Sequence, residues 1–309
     1  MSNYSLSYNF PDGFLWGTSI DGNDLLDRKN YAYLYQMQEL KIPAAAITLK
    51  WSDYEPLKNN YNEPMIEASR NLFSRLLNQN IEPILILDIS EIPNWQNLEK
   101  THSNSSFSDE RFNFSTYIAN ALVPYTKYFG LYCSNASVYS SKLLNAELTV
   151  HQDIRKYIQS ISAQVKVGTI IPGDIFTKKN GGLLNLFHQV QLDALKNADL
   201  DFIGINAKKE IRTALHTSFN ELRMPLLVYS DNIRSIPPEQ RHETLIDDVY
   251  GIWYFYQQGW PFIGFFSEID IESQSPERRA FVNLYSQNAL ELSTQMTDLP
   301  EKWIRFLKD

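Results

Sequence analysis

Carboxylates close three of the chain's apolar runs: Asp88 follows "ILIL", Asp231 follows "LLVYS", and Glu268 and Asp270 follow "PFIGFFS". Other polar residues take the same place after neighbouring runs, with Ser134 and Asn135 after "YFGLYC", Asn206 ending "DFIGIN", Lys208 just beyond it, and Ser230 ahead of Asp231. Carboxylates gathered at one end of a set of strands raise one another's pKa, which can divide them into a proton donor and a proton acceptor. Each residue also has a plainer use. Asp88 can cap the next turn, Asp231 can make an Asx-turn, Lys208 can neutralise nearby acids, and Asn206 can close strand-end hydrogen bonds. Trp95, two positions after Pro93, is the better stacking candidate, whereas Trp16 and Trp51 sit within apolar runs and read as core. The five histidines (102, 151, 188, 216, 242) show no metal-ligand spacing, so no metal is expected.

These residues need a scaffold that brings strand ends together. Eight short apolar runs recur: 13–19, 44–51, 82–88, 128–134, 165–171, 200–206, 225–230 and 261–267. Continuous apolar runs of strand length, bounded by turn residues, read as strands buried on both faces. Amphipathic stretches lie between them. In "NEPMIEASRNLFSRLLNQN" the residues Ile66, Leu72, Phe73, Leu76 and Leu77 are expected on one face, and "RHETLIDDVYGIWYFYQQG" ends at Gly259 as a helix C-cap. Eight strands alternating with helices predict one (β/α)8 barrel domain over residues 1–309. A doubly wound sheet is the competitor, but no Gly-x-Gly-x-x-Gly follows the first run, and no cofactor is expected. The polar stretch 97–115 predicts a long loop after the third strand, on the face where barrels carry their active sites.

Composition narrows the partners. Net charge is −8, from 28 Lys and Arg against 36 Asp and Glu, which argues against nucleic acid or an anionic membrane. The lone Cys133 allows no intrachain disulfide. "MSNYSLSYNF" has neither the basic start nor the apolar run of a signal peptide, and no segment approaches a membrane span, so a cytoplasmic location is expected.

"FLWGTS" (14–19), "DFIGIN" (201–206) and the order and spacing of the segments between and after them resemble glycoside hydrolase family 1, the β-glucosidases. "FPDGFLWGTSIDGN" is similar to the family's opening strand, "AAAITLKWSDYEP" to its second, and "NIEPILILDISEIP" to its third. "DFIGIN" matches the sixth strand, while "MPLLVYSDN" and "GWPFIGFFSEID" resemble the seventh and eighth. The resemblance implies a barrel whose relatives cleave glycosides with two glutamates, a proton donor after strand four and a nucleophile on strand seven. Retaining chemistry holds that pair roughly 5–5.5 Å apart. Here Ala136 takes the proton donor's place beside Asn135, and Ser230 takes the nucleophile's place. A methyl group delivers no proton, and a serine without a base is a poor nucleophile. Ala46 stands where the family has a supporting Arg, Ile89 and Ser90 replace a sugar-contacting His-Trp pair, Ala207 replaces a Tyr, and Glu268 a Trp.

The reading that follows is a catalytically degenerate barrel that binds a carbohydrate or other small polar ligand. Two alternatives stay open. One is an active hydrolase with relocated carboxylates drawn from Asp88, Asp231 and Glu268. The other is a barrel with an idle pocket and a protein partner on its surface.

Overall fold

A computed structural model describes residues 6–22, 31–90, 93–95, 105–133, 141–173, 183–206, 211–230, 236–267 and 289–292. Each of the eight apolar runs forms a strand: β2 (Leu15–Asp21), β3 (Ala44–Lys50), β4 (Glu82–Asp88), β5 (Tyr128–Tyr132), β6 (Lys166–Pro172), β7 (Phe202–Asn206), β8 (Leu226–Ser230) and β9 (Phe262–Ser267). Every neighbouring pair is parallel, and β9 returns to β2 to close the barrel. Helices connect the strands: α1 (Tyr31–Glu39), a single turn α2 (Trp51–Tyr54), α3 (Glu63–Asn78), α4 (Ser105–Leu122), α5 (Ser141–Ile161), α6 (Leu183–Asn197), α7 (Ile211–Glu221) and α8 (Pro238–Gln257). This is the predicted (β/α)8 barrel. None of the helices among the described residues is long and apolar enough to cross a membrane.

The runs lack hydrophobic alternation because both faces of each strand are covered. Leu85, Leu87, Phe129, Leu131, Ile203, Ile205, Val228 and Phe265 pack outward against the helices. Ala44, Ala46, Ile84, Ile86, Ile170, Phe202, Leu227, Tyr229 and Phe266 fill the interior. Large and small residues interdigitate there. A Cβ on Gly204 would stand 2.2 Å from the Ile170 Cδ1, and one on Gly130 2.9 Å from the same atom. The glycine of "DFIGIN" is therefore the space into which Ile170 packs.

The helices follow from their apolar stripes and caps. Helix α3 starts where the Asn62 side chain accepts from the Met65 amide, and it buries Ile66, Ser69, Leu72, Phe73 and Leu76. Leu77, expected on that face, is 38% exposed; it lies one residue past the stripe. Helix α8 ends in a Schellman motif. Trp260 N–H donates to the Phe255 carbonyl, Gly259 N–H donates to Tyr256, and Gly259 takes a φ of 87° that glycine adopts without steric cost.

The expectation of a loop over 97–115 is corrected in part. Residues 105–115 belong to α4 rather than to the predicted 97–115 loop. Arg111, Phe114, Ser115, Ile118, Ala119 and Leu122 are buried at helical spacing, a stripe hidden by its polar members. Outside the barrel, β1 (Leu6–Asn9) pairs antiparallel with β10 (Ala289–Leu292), a ribbon that joins distant parts of the chain and was not expected.

Candidate functional site

Parallel strands place all eight C-terminal ends at one mouth, and alternation selects the residues that face it. On β3 the inward set Ala44 and Ala46 continues through Thr48 to Lys50; on β4, Ile84 and Ile86 lead to Asp88. On β2 the set from Leu15 ends at Asp21. Lys50 and Asp88 are register partners, and the Lys50 Nζ lies 3.0 Å from the Asp21 Oδ2. Three charged side chains thus stand at the ends of three adjacent strands.

Asp88 is half-buried, and its Oδ1 accepts from the Ser90 amide at 2.9 Å and the Ser90 hydroxyl at 2.5 Å. That is the turn-capping geometry open to an Asp at a strand end. It occupies one carboxylate oxygen; the other makes no hydrogen bond among the described residues. Ile89 is fully buried in the outer layer, and Ala46 is fully buried in the interior.

The loop after β3 is organised by Glu55, which is 3% exposed. Its Oε2 accepts from the Trp51 indole at 2.7 Å and its Oε1 from the Asn59 amide at 2.7 Å. Trp95 belongs to the same assembly. Its indole N–H donates to the Glu55 carbonyl at 2.8 Å, its ring meets Trp51 edge-on at 6.0 Å, and the Lys58 ammonium lies 5.8 Å from its centroid. The half-buried Trp95 is tied to Glu55 and Trp51 at this rim.

Across the mouth, Asn206 ends β7 in register with Pro172 and Tyr229. Tyr229 is buried in the interior, tilted against Phe266 at 5.8 Å between ring centroids. Ser230, next in the strand, is a backbone register partner of Ser267. Ser134, Asn135, Ala136, Ala207, Lys208, Asp231, Glu268 and Asp270 lie outside the described residues. Of the expected pocket residues, the structure therefore places Asp88 and Asn206 on inward-facing strand ends. It adds Asp21, Lys50 and Tyr229, which sequence reasoning did not single out.

A second polar group lies behind the barrel wall, under α4 and α5. Arg111 Nη1 donates to the Glu147 Oε1 at 3.1 Å, with side-chain exposures of 4% and 1%. The Cys133 thiol donates to the other Glu147 oxygen at 3.3 Å. Burial pulls the Arg111 pKa down and the Glu147 carboxylate opposes that pull. One turn beyond Glu147, the fully buried His151 places Nδ1 3.1 Å from the Thr169 hydroxyl, which itself donates to the Leu131 carbonyl at 3.3 Å. The hydroxyl proton being committed to Leu131, Nδ1 carries the imidazole proton, and Nε2 is a buried acceptor without a partner among the described residues. Burial pushes the His151 pKa down to about 4, against the pull of Glu147 and with the repulsion of Arg111. The sequence signal was present: Glu147 and His151 are four apart on the apolar stripe of Leu144, Leu148, Ile154 and Ile158.

No family model and no curated protein matches this chain by sequence. Solved structures do match by fold. A β-glycosidase from Pyrococcus horikoshii superposes with a TM-score of 0.73 at 14% identity, over 96% of this chain and 98% of that one. An apo β-glucosidase designated 1317 gives 0.72 at 10% identity, over 89% and 98%. A family 1 β-glucosidase from Thermotoga maritima in complex with isofagomine lactam gives 0.70 at 12% identity, over 91% and 99%. These structural neighbours are family 1 β-glycosidases, and at such identities the likeness is one of fold.

Proposed function

We propose that the mouth of this barrel binds a small carbohydrate or similarly polar ligand and does not cleave glycosides by the family's two-glutamate route. The single observation that carries the binding half is the set of half-buried polar side chains on inward strand ends, Asp21, Lys50, Asp88 and Asn206, above an interior floored by Tyr229 and Phe266. Polar groups converging over an apolar and aromatic floor suit a ligand with hydroxyls and a hydrophobic ring face. The fold neighbours include Thermotoga maritima β-glucosidase in complex with deoxynojirimycin and with noeuromycin, which supports a sugar-like occupant for a mouth of this shape.

The loss of hydrolysis rests on Ala136 and Ser230, which supply neither the proton nor the nucleophilic carboxylate of the retaining mechanism. Ala46 supports it further: a buried methyl group stands where the family's Arg would hold a nucleophile ionised.

The test pairs a thermal-shift screen of neutral mono- and disaccharides with a turnover assay on nitrophenyl β-glycosides at neutral pH. Stabilisation by at least one sugar with no turnover above buffer is expected. Turnover well above buffer that disappears in Asp88→Asn would overturn the reading in favour of relocated carboxylates, a role open to Asp88 through its second oxygen. A pocket indifferent to every sugar would favour the protein-partner alternative.

A further inference from the structure

The geometry points to the Asp21–Lys50 pair as the mouth's contact for a vicinal diol, and so to a neutral or amino sugar rather than an acidic one as ligand. This rests on the binding reading above and sharpens it. The two side chains are the last residues of adjacent strands, β2 and β3, on the inward face. Their side-chain exposures are 33% and 28%, so both are anchored in the wall yet open to the mouth. Strand pairing from Gly17–Ala44 to Asp21–Thr48 already joins β2 to β3. An ion pair this exposed contributes little to stability, and the barrel does not depend on it.

What the pair does present is a cationic donor and an anionic acceptor 3.0 Å apart. The oxygens of a gauche vicinal diol have about the separation of an ordinary hydrogen-bonded pair. One hydroxyl can accept from the ammonium while its neighbour donates to the carboxylate, each through a charge-assisted hydrogen bond. Asp88 stands beside Lys50 in register with one carboxylate oxygen open, a further acceptor for a hydroxyl or an ammonium group. Among the described residues, the inward ends of β2, β3 and β4 therefore carry two carboxylates and one ammonium. A sugar carboxylate or phosphate meets net repulsion here, and a sugar amine meets attraction.

Glucose, glucosamine and glucuronate differ in a single group and serve as probes. Their dissociation constants are measured by calorimetric titration for the wild type, Lys50→Met and Asp21→Asn, each with its melting temperature. The wild type is expected to bind glucose and glucosamine and to bind glucuronate least. Lys50→Met should weaken glucose by about tenfold or more through loss of the charged donor. It should also move selectivity further toward glucosamine, whereas Asp21→Asn should move it toward glucuronate. Opposite movements support the inference, because a pair that merely braces two strands would alter melting without altering selectivity. Constants unchanged in both variants, or changed by one common factor for all three sugars, would overturn it and leave the binding reading standing. Failure of the wild type to bind any of the three overturns it as well, while the binding reading stands or falls with the wider sugar screen.

Discussion

Lowering the pH from 7 toward 4 should cost this protein stability through one side chain, His151. An ordinary histidine takes up its proton near pH 6.5, and the unfolded chain behaves so. In the folded protein the imidazole is fully buried, its Nδ1 proton is given to Thr169, and the pKa falls to about 4. The direction of the effect follows from proton uptake. At pH 7 both states are neutral at this site and it contributes nothing. As pH drops through 6.5 the unfolded chain binds a proton that the native state refuses, so unfolding is favoured by a further ~1.4 kcal/mol per pH unit. The penalty stops growing near pH 4, where the native imidazole also charges. The gap between 6.5 and about 4 makes the full loss ~3 kcal/mol, a large part of the ~5–15 kcal/mol typical of a domain.

Urea unfolding of the wild type and His151→Gln at several pH values between 7 and 4 isolates the effect. The substitution can lower stability at every pH, but it removes the slope that His151 contributes. Asp201 titrates elsewhere. Burial pushes its pKa up, the Arg155 ion pair and the Val167 amide more than offset that, and the net depression confines its effect to more acidic pH. The wild type should lose ~3 kcal/mol more than the variant over this range. Imidazole nitrogen shifts should show Nε2 unprotonated down to about pH 4.5. Parallel stability curves for the two proteins, or an imidazole titrating near 6.5, would refute the buried neutral assignment.

Two further stability predictions follow from the packing. Glu147→Met leaves Arg111 charged and buried without its carboxylate, and should cost ~3–5 kcal/mol, whereas the double variant Arg111→Met/Glu147→Met should recover much of that loss in urea melts. Gly204→Ala drives a methyl group into Ile170 inside the barrel and should cost ~1–3 kcal/mol with the helical circular dichroism retained; a neutral effect would mean that the interior repacks freely.

The barrel was legible because its physics is local to each strand. A strand covered on both faces must be apolar at consecutive positions, and "EPILILD" forms β4 over the predicted 82–88. The first strand shows the limit of that signal. It was expected over 13–19 and forms over Leu15–Asp21, because Phe14 packs outside with Phe10 and Trp16 while the strand runs on through polar residues to the mouth. Its end carries Ser19 and Asp21 at the half-buried positions facing the mouth, so its apolar signal fades there. The β1–β10 ribbon left no readable trace. Four-residue strands separated by most of the chain gain their identity only from each other.

The site was less legible, for a different reason. Asp21 and Lys50 are 29 positions apart, and neither is unusual in its own segment. What makes them a pair is register, since β2 and β3 align Gly17 with Ala44 and so bring both strand ends to one edge of the mouth. Strands that are apolar on both faces give no alternation from which to infer which residues point inward, and a shift of one position would exchange the two faces. Resemblance drew attention to Ala136 and Ser230, which align with the places of the family's two glutamates. The same parity argument now directs attention elsewhere: Tyr229, not a carboxylate, is the last described residue of β8 in the interior, and Asp21, Lys50 and Asp88 hold the charge on the opposite side. The described charges at the mouth therefore sit on β2, β3 and β4, along one edge. Cleaving a glycosidic bond by the retaining route needs carboxylates facing each other across it, so the proposed loss of cleavage rests on the residue types at Ala136 and Ser230 and not on this edge.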